Sequence, residues 1–185
     1  FRERFIGGAV ARGVAADVAE EIWRQVRAFA AYSYCKAHAC TYGHISYQAC
    51  YLKAHYPAEF LASVIANKAG FYDARTYLEE ARRFNVKVLP PCVNRSEIEC
   101  RPEGGCIRPG LEFVRSLSAG SIRRILSRRR LRPFESFEDF CSRVRLPRPE
   151  LENLILCGAF DGFSHTRPTL MMKMERILRR RPAPA

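Results

Sequence analysis

Residues 115–132 read RSLSAGSIRRILSRRRLR, and this stretch decides how the second half of the chain folds. Ile122, Ile125 and Leu126 recur at the spacing of one helix face, which predicts a helix that starts near Ser121. The small residues before it are typical of a tight turn. A turn that opens a helix exposes backbone N–H groups, and these groups together with the helix dipole bind phosphate. The stretch therefore predicts a phosphate-binding turn followed by a helix.

Arginine dominates the charge of this region. The candidate DNA-binding residues are Arg115, Ser118, Gly120, Ser121, Arg123, Arg124, Arg128, Arg129, Arg130 and Arg132. The chain of 185 residues has a formal net charge of +12, and residues 101–149 carry seven of these charges. The guanidinium group is planar and permanently charged, so it suits phosphate oxygens. A polyanion, most commonly nucleic acid, is the predicted partner. A solvated basic face and an arginine-biased genome are the alternative interpretations.

Hydrophobic periodicity extends the prediction to the rest of the chain. In the first half it predicts helices over 14–31, over about 39–54, from Pro57 to Gly70 and after the capping residue Asp73, with a loop at 35–38. In the second half it predicts a short strand at 86–89, a hairpin that turns at Gly104-Gly105, and helices after Ser136, at 150–157 and after Pro168. The predicted fold is therefore mainly α, with one small β element.

The sequence carries few signatures of catalysis. It lacks the phosphate-loop, nucleophile-elbow and zinc-protease motifs G-x-x-x-x-G-K-[ST], G-x-S-x-G and H-E-x-x-H. Two-metal nucleotidyl transfer needs paired carboxylates that clamp divalent ions, and no D-x-D occurs. We therefore expect neither a catalytic residue nor a metal ligand here. Because no uncharged apolar run approaches the ~18 residues of a membrane helix, no membrane partner is expected either.

Lys36 and His38 are the candidate nucleotide-binding residues. They lie among tyrosines, at a point where a helix is expected to break. Lys and His donate hydrogen bonds to phosphate, and tyrosine rings stack on bases. Two other interpretations stay open, namely a surface lysine beside a core-edge histidine, and a zinc site formed by Cys35, His38, Cys40 and His44. A straight helix disfavours the zinc site, since Cys35 and Cys40 would point about 140° apart.

Several blocks of sequence resemble the C-family of DNA polymerases of bacteria, and they occur in the family's order over nearly the whole chain. The blocks are residues 29–39 (FAAYSYCKAHA), 42–43 (YG), 45–48 (ISYQ), 51–60 (YLKAHYPAEF), 90–96 (PPCVNRS), 108–111 (RPGL), 133–136 (PFES), 139–141 (DFC) and 158–161 (GAFD). The resemblance implies an internal segment of a much longer polymerase. Residues 1–90 would be a helical segment of its fingers. Residues 91–185 would be a small β hairpin followed by a helix-hairpin-helix DNA-binding region.

The resemblance also implies roles and partners. Lys36 and His38 match a basic pair that faces the triphosphate of the incoming dNTP. The arginine-rich region would bind primer–template DNA during replication in the cytoplasm. Mg²⁺ is expected for the parent nucleotidyltransferase, held by palm carboxylates outside this chain, so the segment alone would be inactive and would hold no cofactor. The other implied partners are the rest of the polymerase chain and, through parts absent here, a sliding clamp.

Two departures from the family pattern stand out. The hairpin of such elements usually carries Gly-x-Gly, whereas residues 116–118 are Ser-Leu-Ser, with Gly120 slightly later. This puts the backbone grip on phosphate in question, and the arginines are expected to compensate. The block Gly70-Phe71-Tyr72 resembles the accessory, error-prone branch of the family. The alternative function is a standalone, non-catalytic helix-hairpin-helix module, which also predicts duplex binding.

Overall fold

The computed structural model describes residues 1–30 and 35–180 and confirms the predicted mainly α fold. Within these ranges the helices are α1 (Arg2–Val10), α2 (Ala16–Ala30), α3 (Lys36–His55), α4 (Pro57–Ala66), α5 (Ala74–Arg83), α6 (Ala119–Leu131), α7 (Phe137–Arg143), α8 (Arg148–Leu156) and α9 (Arg167–Arg179). Strands β1 (Arg101–Glu103) and β2 (Cys106–Arg108) pair antiparallel, and a 3₁₀ turn follows at Leu111–Phe113. The chain divides into two compact units, Phe1–Cys50 and Tyr51–Ala185. The functional division into residues 1–90 and 91–185 stays a prediction.

In the first unit, α1 packs against α2. Phe5 contacts Trp23, and their ring centroids lie 5.5 Å apart. Sequence reasoning missed α1, because Gly7 and Gly8 lower helix propensity by about 1 kcal/mol each. α1 therefore forms in contact with α2, although its local propensity does not predict a helix.

α2 (Ala16–Ala30) matches the helix predicted over 14–31, and Ala30 is the last residue described before 35. Its apolar stripe consists of Val18, Ile22, Val26 and Phe29, which are 42 to 74% exposed. These side chains form the apolar face of an amphipathic helix, but the first unit does not bury them. Among the described residues, no helix combines the length and the apolar character needed to cross a membrane.

α3 begins at Lys36, so residues 36–38 are helical and the loop predicted at 35–38 is wrong except at Cys35. The helix starts three residues earlier than predicted and runs to His55 without interruption. The sequence also predicts a helix break or cap at Ser33 and a loose tail at 182–185, and both lie outside the described residues.

The second unit has a first apolar core between α4, α5 and the hairpin. Leu61 and Ile65 of α4 and Ile107 of β2 are at most 3% exposed. α5 begins as predicted, because the carboxylate of Asp73 accepts the N–H of Thr76 and so satisfies one of the free amides at the helix start.

The hairpin turns at Gly104-Gly105 as predicted, with φ values of 57° and 72°. The strand predicted at 86–89 is wrong, since only Val88 pairs, in an isolated parallel bridge with Ile107. The prolines at 90 and 91 lack the N–H that a longer ladder needs.

A second, larger core joins α6, α7, α8 and α9. Phe137, Phe140 and Phe160 are at most 1% exposed, and the rings of Phe137 and Phe140 meet the edge or face of Phe160 at about 5 Å between centroids. α7 begins as predicted, with the Ser136 hydroxyl accepting the N–H of Asp139. This core fixes the position of α6, which carries most of the candidate DNA-binding residues.

Candidate nucleic-acid interface

The turn predicted before the arginine-rich helix is present. Ser118 is the N-cap of α6, and its Oγ accepts the N–H of Ser121 at 3.3 Å. Ser116 has a φ of 62°, in the left-handed region that favours glycine. Ser116, at the first glycine position of the Gly-x-Gly pattern, therefore has a backbone conformation that glycine usually adopts. A Cβ added to Gly120 would meet no atom within 4 Å, so the first turn of α6 is open to approach.

A buried carboxylate fixes this turn from the start of α8. The N–H of Ser118 donates to Oε1 of Glu150 at 3.1 Å, and Glu150 is 6% exposed. The other carboxylate oxygen, Oε2, is buried and receives no hydrogen bond from the residues described. The amide of Ser118 is thus occupied, and the amides left for phosphate are those of Ala119 and Gly120.

The arginines of α6 divide between an inner and an outer face. Arg129 follows Ile125 by four residues and Leu126 by three, so it lies on the side of the core. Its side chain is 13% exposed and donates to Oε1 of Glu97 at 2.7 Å and to the carbonyl of Ser96 at 2.6 Å. The guanidinium of Arg129 therefore joins α6 to the preceding loop, and the structure does not bring it to the outer face with its neighbours.

Asp139 forms ion pairs with Arg132, which follows α6, and with Arg143 of α7. Its carboxylate pairs with Arg132 at 2.8 Å and with Arg143 at 3.0 Å. Arg143 also donates to the carbonyls of Arg128 and Arg132, which caps the C-terminal end of α6. Burial acts to raise the pKa of Asp139, but the N–H of Glu135, the Arg143 hydrogen bond and the Arg132 charge hold that pKa below its ordinary value. Arg132 is thus ion-paired rather than available as an unpaired cation.

Another group of arginines borders an open cleft between α6 and the C-terminal end of α7 with the residues that follow it. This arginine cleft has a volume of about 520 Å³ and is lined by Arg124, Ser127, Arg128, Leu131, Ser142, Arg143 and Arg145. Arg128 and Arg145 are exposed, and within the described ranges their guanidinium groups have no hydrogen-bond or ion-pair partner. Arg124 donates to Oγ of Ser121 at 2.9 Å. Arginines and hydroxyl groups in an open cleft are the chemistry that binds phosphate.

Arg145 and Ser142 were missed by sequence reasoning, because they come from a different stretch than α6 and join it only through the fold. Arg123 and Arg130 are exposed on the outer side of α6, seven residues apart and so nearly aligned along the helix. Arg115 is exposed and directly precedes residues 116–118 of the turn before α6. The outer surface is therefore cationic over more than the length of α6.

The structure does not bring Lys36 and His38 onto one face. Both lie in the first turn of α3, two residues apart, so their side chains point about 160° apart around the helix axis. Lys36 is exposed, and His38 is half-buried with its ring 4.4 Å from that of Tyr42. In the part of the chain that is described, no three His, Cys, Asp or Glu side chains converge to hold a metal ion.

Comparisons with known proteins agree with the motifs. Residues 85–170 match the family model of the helix-hairpin-helix motif, which includes α6, the turn before it and the arginine cleft. The chain is 38% identical over 183 residues to DNA polymerase III subunit alpha of Thermus aquaticus, 36% over 182 residues to that of Deinococcus radiodurans, and 34% over 181 residues to that of Bacillus subtilis. Each alignment covers 96% of this chain but only 14 to 16% of the relative. The resemblance stated from the sequence motifs is thereby confirmed: the chain matches a segment of the bacterial DNA polymerase III alpha subunits and contains a helix-hairpin-helix motif.

Proposed function

We propose that this chain is the DNA-binding and nucleotide-binding portion of a C-family, DNA-directed DNA polymerase that replicates DNA in the cytoplasm. The observation that carries the proposal is the arginine cleft, which lies within the region that matches the helix-hairpin-helix motif. Relatives that match nearly the whole chain are DNA polymerase III alpha subunits, which supports a polymerase as the parent protein.

The proposed contacts position duplex DNA without reading its sequence. Arg128 and Arg145 would bind phosphates across the cleft, with Arg124 held in place by its hydrogen bond to Ser121. The open amides at the start of α6 would bind a further phosphate. Phosphate contacts fix the register of a protein on the duplex and carry no base information.

A salt titration of duplex affinity tests this role. Neutralising each phosphate contributes about −0.9 to the slope of log K against log salt, so the double variant Arg128→Ala/Arg145→Ala should flatten the slope by about 2. The control is Arg176→Ala/Arg179→Ala, which removes two exposed charges from α9. Equal slopes for the two double variants would contradict the proposal.

Nucleotide binding is proposed for Lys36 first, with His38 as a second contact from the opposite side of the helix start. Support comes from the exposed position of Lys36 at the N-terminal end of α3, where the helix dipole favours anions. In the full-length parent, Lys36→Ala should raise KM for dNTP or lower the incorporation rate, whereas Lys87→Ala, at another exposed lysine, should not. Unchanged single-nucleotide kinetics for Lys36→Ala would refute the role.

The remaining parts of the reaction are assigned to the rest of the parent chain. There we place the carboxylates that hold Mg²⁺ and the contact with a sliding clamp, while this segment alone is proposed to be inactive. A standalone helix-hairpin-helix module is the competing function. A continuous upstream reading frame that carries paired aspartates supports the polymerase, and a frame that begins near Phe1 supports the module. The error-prone branch stays a prediction that rests on Gly70-Phe71-Tyr72.

A further inference from the structure

A second cleft lies between α4, α5 and the 3₁₀ turn, on different elements from the arginine cleft. Its volume is about 370 Å³, and its lining includes Lys68, Tyr72, Tyr77, Glu112 and Phe113. This is the size of a small-ligand site, with apolar walls and a few polar groups. Neither the proposed duplex contacts nor the nucleotide contacts use it.

Glu112 lines this cleft and has a carboxylate with unused acceptor capacity. Oε2 of Glu112 lies 3.7 Å from Nζ of Lys68, which is too far for a hydrogen bond, and the side chain is 24% exposed. Oε1 is buried and has no hydrogen-bond partner among the residues described. A carboxylate in this state gains free energy when a ligand N–H reaches it.

The walls of the cleft include aromatic rings. Tyr72 is 67% exposed and packs edge-on to Tyr77 with ring centroids 6.2 Å apart, and Phe71 beside it is fully exposed. Gly70 allows this arrangement, because a Cβ there would lie 1.8 Å from Oη of Tyr77. Exposed aromatic rings next to a cation such as Lys68 are the platform on which unpaired bases stack.

We propose that this cleft holds an unpaired base of single-stranded DNA. The base stacks on Tyr72, its exocyclic amino group donates to Glu112, and its phosphate lies near Lys68. At C4, cytosine carries an amino group that donates to a carboxylate, whereas thymine carries a carbonyl oxygen that a carboxylate repels, so a Glu112 carboxylate that faces C4 makes the cleft prefer cytosine to thymine. A basic peptide side chain is disfavoured, because Lys68 already supplies the positive charge beside Glu112. The inference rests on the proposed function only in taking DNA as the ligand.

The test measures the affinity of the full 185-residue chain for short labelled dC and dT homopolymers by fluorescence anisotropy. The background carries Arg128→Ala/Arg145→Ala, which reduces strand binding by the arginine cleft. We expect tighter binding of dC than dT, a loss of about tenfold in dC affinity for Tyr72→Ala, and its recovery in Tyr72→Trp. Glu112→Gln should remove the preference for dC. Tyr56→Ala, at an exposed tyrosine on the opposite end of α4, is the control and should change neither affinity.

Several results would overturn the inference. Equal affinities for dC and dT, or an unchanged dC affinity in Tyr72→Ala, would show that the cleft does not bind the base. If an arginine-rich peptide displaced the dC homopolymer, and if this displacement were lost in Glu112→Gln, the cleft would be assigned to a cation instead. These failures are distinct from failure of the proposed function, because duplex affinity of the otherwise wild-type Tyr72→Ala chain is expected to stay unchanged. Thermal unfolding of each variant verifies that the cleft residues are replaced in a folded chain.

Discussion

Arg129 and Arg130 are neighbours in sequence, and the structure predicts opposite consequences for their removal. The Arg129 side chain is 13% exposed, while that of Arg130 faces solvent. Arg129→Ala removes short hydrogen bonds to the Ser96 carbonyl and the Glu97 carboxylate. It leaves the carbonyl of Ser96, a residue that is 2% exposed, without its donor.

The size of the loss follows from these contacts. Hydrogen bonds that involve a charged group contribute about 1.5–3 kcal/mol each. Glu97 is 43% exposed and is rehydrated when its partner leaves, so its share is small. We therefore expect Arg129→Ala to lower the free energy of unfolding by about 3 kcal/mol, or the midpoint of thermal unfolding by roughly 6–12 °C for a chain of this size. Arg130→Ala should change stability by less than about 0.5 kcal/mol.

The assay pairs urea or thermal denaturation with the salt dependence of duplex binding. Under conditions where the variant is folded, Arg129→Ala should keep the wild-type salt slope, and Arg130→Ala should flatten it. If Arg129→Ala were as stable as Arg130→Ala and also flattened the slope, the inner-face assignment of Arg129 would be refuted.

The remaining predictions concern the turn and its supports. Gly110→Ala should destabilise the chain by about 2 kcal/mol or more in urea denaturation, since a Cβ there would lie 2.1 Å from the carbonyl oxygen of Ile98; an unchanged midpoint would contradict this. Ser116→Gly should raise stability by about 0.5–1 kcal/mol, because it relieves a side chain held at positive φ, and a loss of stability would show that the serine is needed there. The pKa of Asp139 is lower folded than unfolded, so its ion pairs stabilise fully above the unfolded pKa of about 3.9, and stability falls as pH drops through the folded pKa. Denaturation curves between about pH 6 and 3 should show this fall for the wild-type chain, and Asp139→Asn should reduce it. An equal fall in the wild-type chain and in Asp139→Asn would contradict the ion pair of Asp139 with Arg143 as the cause.

The features that sequence predicted well are those decided by a few neighbouring residues. Asp73 and Ser136 cap the helices that were expected to follow them, because a short polar side chain satisfies an amide two or three residues on. The glycines at 104 and 105 likewise fix the hairpin turn by their own backbone freedom.

The features that sequence missed depend on contacts between distant residues. The helical spacing of Arg129 from Ile125 and Leu126 was a usable signal of its inner position, but its partners Ser96 and Glu97 are known only from the fold. Arg145 reaches the cleft from a stretch beyond α7, and no local pattern links it to Arg128. The candidate site therefore combines a predicted helix with unpredicted neighbours.

The central claim is that the outer arginines of α6 and Arg145 hold DNA through its phosphates. The direct measurement is the slope of log K against log salt for the wild-type chain on duplexes of unrelated sequence. If Arg123, Arg124, Arg128, Arg130 and Arg145 each neutralise one phosphate, the slope is about −4.5 and is the same for every sequence. A slope near zero, or a slope and affinity that depend strongly on sequence, would contradict the claim.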